Sequence, residues 1–142
     1  MSAIDLTKKL VNFNTVSRDS NLPLIDYVAT YLDDFGIKSH RVESPDGKKS
    51  NLYASIGPEE PGGVVLSGHT DVVPTDGQDW HTDPFMPEIK DGNLLGRGTC
   101  DMKGFIGTAL SLVPEMNSLE KPIHFALSYD EEIGCKGAPS MI

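Results

Sequence analysis

Cysteine is scarce in this chain: Cys100 and Cys135 are the only two among 142 residues, and they form no CxxC pair. Two isolated thiols suggest no disulfide framework, which fits a reducing compartment; both read as buried free thiols. Basic residues are also short, with 12 Lys and Arg against 21 Asp and Glu and a formal net charge of −9. Without a basic face to neutralise phosphates, nucleic acid and anionic membrane are excluded as main partners. No apolar run approaches bilayer-spanning length, and the N-terminal MSAIDLTKKL has no signal-peptide core. A cytoplasmic location is therefore expected. GxSxG is missing, which removes a hydrolase nucleophile elbow, and HExxH is missing, which removes a thermolysin-like site. Gly96-Arg97-Gly98 starts like a dinucleotide loop, but Asp101 stands where its third glycine belongs.

What is present suits one soluble globular domain, with 38% hydrophobic and 23% charged residues and no repeat or low-complexity tract. Apolar spacing predicts helices over residues 3–13 and 23–35, the second with Pro23 in its first turn and Gly36 just past its end. Short strands are predicted over 37–42 and 51–56, and a buried central strand over 64–68. A long irregular loop, 70–92, precedes a short strand at 93–95, and loops of that length inside a domain are often functional. A helix is predicted over 102–116, ended or kinked by Pro114, followed by a strand over 123–129 buried on both faces. The pattern is that of an α/β domain, and it breaks off at Ile142 as another helix begins.

Three polar clusters fall at strand ends or in adjoining loops. The first is His69 with Asp71 in SGHTDVVP, two residues apart and so on one face of an extended chain. The second is Asp101 in GRGTCDMKG, and the third is Glu131-Glu132 in SYDEEIGC. If the strands carrying the first and third are parallel neighbours, both clusters reach the carboxyl edge of one sheet, where ligands bind. Imidazole and carboxylate donors suit zinc or another divalent transition ion. Each cluster also has an ordinary structural reading. A lone His69 is more often a surface or core histidine, Asp101 can be the N-cap of the following helix, and Asp130-Glu131-Glu132 is the usual composition of a solvated acidic turn. His40, His81 and His124 have no evident partner in the sequence.

SGHTDVVP, DWHTDPF, LLGRGTCDMKGF and SYDEEIGC, in that order and spacing, resemble the di-zinc amidohydrolase family. Its members include acetylornithine deacetylase, succinyl-diaminopimelate desuccinylase, aminoacylase and glutamate carboxypeptidases, and the resemblance covers essentially the whole chain. The wording DGQDW, GTCDMKGF and SYDEEIGC is most similar to the acetylornithine deacetylase branch. The resemblance implies a three-layer zinc-exopeptidase-like α/β fold, with a mixed, mostly parallel sheet and helices on both faces, truncated here. Residues 1–142 would be the N-terminal part of the catalytic domain. The lid and dimerisation domain, the remaining zinc ligands and the C-terminal part of the catalytic domain would be absent.

Carried over residue by residue, His69 would bind one zinc, Glu132 the second, and Asp101 would bridge both through a residue whose peptide bond to Met102 is cis. Asp71 would orient the His69 imidazole, and Glu131 would be the general base. The implied cofactors are two zinc ions, with cobalt as an alternative, and the implied reaction releases acetate and ornithine from N-acetylornithine in arginine biosynthesis. The alternatives are a desuccinylase or another N-acyl-amino-acid hydrolase and, in a different class, a non-catalytic metal-binding or interaction module. The implied partners are a small N-acyl amino acid and, for the complete protein, a second copy held through the lid domain. The chain alone is expected to bind zinc weakly, to be inactive and to self-associate.

Overall fold

The computed structural model describes all residues, 1–142. Helix α1 (Ala3–Val11) starts at a capping box, in which the Ser2 hydroxyl accepts the Asp5 N–H and the Asp5 carboxylate accepts the Ser2 N–H. It buries Leu6, Leu10 and Val11. Helix α2 (Leu22–Asp33) carries Pro23 in its first turn, and Gly36, at φ 74°, turns the chain beyond it. Asn21 is its N-cap by position but makes no side-chain cap bond. Its amide instead donates to the Ser50 carbonyl and the Thr70 hydroxyl, each at 2.8 Å.

Strands β1 (Ser39–Glu43), β2 (Ser50–Ile56), β3 (Val64–His69) and β6 (Ile123–Ser128) form one sheet in the order β1-β2-β6-β3. The β1–β2 and β2–β6 ladders are antiparallel, and β3–β6 is parallel, running from Val64↔Ile123 to His69↔Ser128. A separate hairpin, β4 (Glu88–Lys90) with β5 (Asn93–Leu95), occupies part of the segment read as one irregular loop. Helix α3 (Lys103–Ser111) gives way to a 3-10 turn, Val113–Glu115, at Pro114.

The mixed α/β class is as expected, with three corrections. β3 is an edge strand rather than a central one, and Val64 and Val65 are 58% and 57% exposed. β6 is buried mainly through alternate residues, Phe125 and Leu127, so its two faces are unequal. The chain's last residues form a 3-10 turn, Ala138–Met141, instead of opening an α-helix.

One core joins α1, α2 and α3 to a single face of the sheet through Leu52, Ala54, Ile56, Phe125 and Leu127. Burying a leucine-sized side chain is worth about 1.5–3 kcal/mol, so this face dominates the fold's stability. Two glycines set how closely the helices approach. A Cβ on Gly107 would lie 2.7 Å from the Thr7 nitrogen of α1, and one on Gly68 would lie 3.2 Å from Ile106 of α3. The second approach seats the start of α3, and Asp101 just before it, against the end of β3.

Candidate metal centre

The parallel pairing of β3 with β6 brings their carboxyl ends together. His69 closes β3, and the turn after β6 carries Asp130, Glu131 and Glu132. Asp101 arrives from the loop before α3; its peptide bond to Met102 is cis. One donor atom from each of His69, Asp101 and Glu132 lies within 4.8 Å of the others. Three elements far apart in sequence thus meet at the sheet edge where α/β domains bind ligands.

The imidazole's contacts define its chemistry. Nδ1 lies 2.9 Å from the Asp71 main-chain oxygen, which can only accept, so Nδ1 carries a proton. Nε2 faces Asp101 Oδ1 at 3.0 Å, a contact that needs a proton on this nitrogen too; once that proton is lost, Nε2 offers the lone pair of a neutral imidazole. Burial pulls the His69 pKa down, but the bond to the Asp71 carbonyl and the Asp101 carboxylate outweigh it, and the net shift is upward. Glu132 is also shifted up, first by burial; His69 opposes this, while Asp101, Glu131 and Asp71 add like-charge repulsion. A divalent cation among these groups would relieve that repulsion and displace the shared proton, so the donor set fits one.

Asp101 is not a helix cap: Met102 holds that position, without a side-chain cap bond. Glu131 stands outside the three-donor cluster, with Oε2 3.9 Å from His69 Nε2. Cys135 Sγ lies 3.8 Å from Glu131 Oε1, and a cavity of about 260 Å³ opens onto His69, Met102, Glu131 and Cys135. Both cysteines are exposed rather than buried, because Cys100 and Cys135 sit in turns beside the site instead of in the core.

Asp71 is 2% exposed, and its carboxylate turns toward the acidic turn. It accepts the Glu131 N–H at 3.0 Å and the Glu132 N–H at 3.3 Å, whereas Oδ1 is 3.7 Å from His69 Nδ1. The Asp71 contact that fixes the imidazole runs through its main-chain carbonyl, while its carboxylate holds the acidic turn.

Three polar residues around the centre, Ser17, Lys49 and Lys103, are absent from the sequence reading, and Asp130, read there as part of a solvated turn, is buried against Lys49. Lys103 is fully buried, donates to the Phe13 carbonyl at 2.7 Å, and is pulled by burial to a pKa of about 7, against the opposing charge of Asp71. Lys103 lies inside a recognisable block, GTCDMKGF, so its position is a signal. Ser17 and Lys49 carry none. His124 has partners across the sheet, with Nδ1 2.8 Å from both Tyr53 Oη and Ser55 Oγ.

Known proteins resemble the chain along most of its length. A succinyl-diaminopimelate desuccinylase of Anaplasma marginale is 37% identical over 131 residues, 91% of this chain and 34% of that protein. An acetylornithine deacetylase of Pasteurella multocida is 38% identical over 126 residues, 87% of this chain and 33% of that one. The crystal structure of human carnosine dipeptidase 1 superposes with a TM-score of 0.81 at 25% identity, covering 98% of this chain and 34% of that one. The chain thus spans about a third of the length of the curated relatives it matches. The model of peptidase family M20/M25/M40 matches residues 65–142, which hold His69, Asp101 and the acidic pair, and the chain belongs to that family.

Proposed function

We propose that this chain carries the metal-binding and proton-transfer groups of a zinc-dependent amide hydrolase acting on N-acyl amino acids. The observation that carries the reading is the His69–Asp101–Glu132 cluster with a further carboxylate, Glu131, beside it but outside it. His69 Nε2, Asp101 and Glu132 would hold zinc, or cobalt in its place, with Asp101 shared between two ions. Zinc bound there would polarise an amide carbonyl and acidify a water. Glu131 takes the proton of the attacking water and passes it to the departing amine. Its exposed carboxylate lies on the cavity side of His69, within reach of a substrate there.

N-acetylornithine is the first substrate to test, yielding acetate and ornithine as in arginine biosynthesis. The wording of DGQDW, GTCDMKGF and SYDEEIGC supports it, as does the name of the Pasteurella multocida relative. A succinylated substrate is the second reading, favoured by the name of the Anaplasma marginale relative. Acetate or succinate release from an N-acyl panel by the natural gene product, with zinc or cobalt, separates the two; release of neither overturns the hydrolase reading. His69 with Asp101, and Asp101 with Glu132, give each of two ions two protein donors, where catalytic zinc takes about three. Residues 1–142 alone are therefore expected to bind zinc weakly and to be inactive.

A further inference from the structure

Ser17 belongs to no block that marks the site, yet each of its polar groups is spent on a loop that builds it. It is buried, in a segment after α1 that pairs with the extension of β3 through a parallel bridge, Val16↔Val72. Its N–H donates to the Val72 carbonyl at 3.2 Å. Its hydroxyl donates to Asp71 Oδ2 at 2.6 Å. Its carbonyl accepts from Lys49 Nζ at 2.5 Å, and the same ammonium pairs with the Asp130 carboxylate.

These bonds converge on the acidic turn from two sides. On one side Ser17 Oγ fixes the Asp71 carboxylate, which accepts the N–H groups of Glu131 and Glu132. On the other side Lys49 links the Ser17 carbonyl to Asp130, the residue just before Glu131. Asp130 has a left-handed backbone, φ 58°, which sets the direction in which the next two residues leave β6. Oδ2 of Asp71 is shared by the Ser17 hydroxyl and the Glu132 N–H, so removing the hydroxyl frees the carboxylate to turn about its own bond. The N–H groups of Glu131 and Glu132 would then lose a fixed acceptor, and their side chains a fixed origin.

We propose that Ser17 is a positioning residue, which acts through Asp71 and Lys49 to hold the main chain of Glu131 and Glu132 in the arrangement that places one carboxylate beside His69 and the other within the donor cluster. Its consequence for metal binding rests on the zinc reading above; its consequence for the main chain does not.

The test is amide hydrogen exchange and amide chemical shift at Glu131 and Glu132 in the metal-free chain, followed by titration with zinc chloride. Ser17→Ala should keep the global fold, while the two amides shift and exchange faster and zinc affinity falls about 10- to 100-fold. Ser17→Thr, which keeps the hydroxyl, should restore both. Unchanged Glu131 and Glu132 amides in Ser17→Ala would overturn the proposal, as would a threonine variant that behaves like the alanine one, since packing would then account for the effect. Should Ser17→Ala fail to fold, Lys49→Gln tests the same link from its other side. Shifted amides at Asp130 and Glu131 would support it, and unchanged ones would overturn it. Where the wild-type chain binds zinc too weakly to titrate, the amide measurements alone decide the clamp.

Discussion

His69 Nε2 and Asp101 Oδ1 stand 3.0 Å apart, the separation of a hydrogen bond between two groups proposed to share a metal. With Nδ1 donating to the Asp71 carbonyl, the metal-free ring satisfies both contacts only as imidazolium, which agrees with its raised pKa.

The first prediction concerns stability against pH without metal. A histidine whose folded pKa is raised above its ordinary 6.5 contributes stability that is complete below 6.5 and lost as pH rises through the folded value. Glu132, raised above its ordinary 4.5, also holds its proton more tightly when folded and loses its contribution with rising pH. With chelator present, the urea midpoint should fall between about pH 6 and about pH 7.5, and His69→Ala should flatten the fall. Zinc binding displaces the proton, so zinc affinity should rise over the same interval. A midpoint that climbs with pH in the chelated wild type but not in His69→Ala would refute the assignment.

Lys103 acts in the opposite sense over a higher window. Its folded pKa of about 7 lies below its ordinary 10.5, so between those values the unfolded chain binds a proton that the folded chain lacks. Its contribution to stability therefore rises with pH from about 7 toward about 10.5. Lys103→Met keeps the volume and removes the titration. Urea midpoints at about pH 7 and about pH 9.5 should differ less in the variant than in the wild type.

Gly107 tests the contact between α1 and α3. Alanine has the higher helix propensity by about 1 kcal/mol, which by itself predicts stabilisation. The added Cβ would instead meet the α1 backbone, 2.7 Å from the Thr7 nitrogen and 2.9 Å from its Cα. Overpacking against main chain typically costs about 1–3 kcal/mol, so Gly107→Ala should lower stability on balance. A raised melting temperature would show that the two helices separate freely.

For the natural gene product, Glu131→Gln should lower kcat by about 10²- to 10⁴-fold through loss of the base. Zinc content should be unchanged, since Glu131 is outside the donor cluster. Turnover retained at full metal occupancy would move the base elsewhere.

Much of this was legible in the sequence because the signals were local. Leu24, Ile25, Val28, Tyr31 and Leu32 mark α2 by spacing alone, and all are buried. His69, Asp101 and Glu132 sit at ends of elements that hydropathy could place, and the fold gathers them. What stayed hidden depended on partners distant in the chain. The edge position of β3 follows from β6 pairing between it and β2, which no property of Val64 or Val65 reveals. β4 has no sequence signal because Glu88–Lys90 is three residues long and exposed throughout, with no alternation of burial to read. Ser17 and Lys49 act across 54 and 32 positions respectively, and their local surroundings are ordinary polar turns.

The strand order carries a consequence for how the chain acquires its shape during synthesis. β6 is made after β1, β2 and β3, yet it lies between β2 and β3, so among these four strands β3 has no partner until β6 emerges. His69 and Asp101 are therefore translated well before the acidic turn can reach them, with the apolar β3 unpaired in the interval. Domains dominated by such distant pairings fold slowly and expose strand edges meanwhile. Arrest of translation before Ile123 would leave a species with His69 and Asp101 but not Glu132, and with β2 and β3 lacking the strand that joins them.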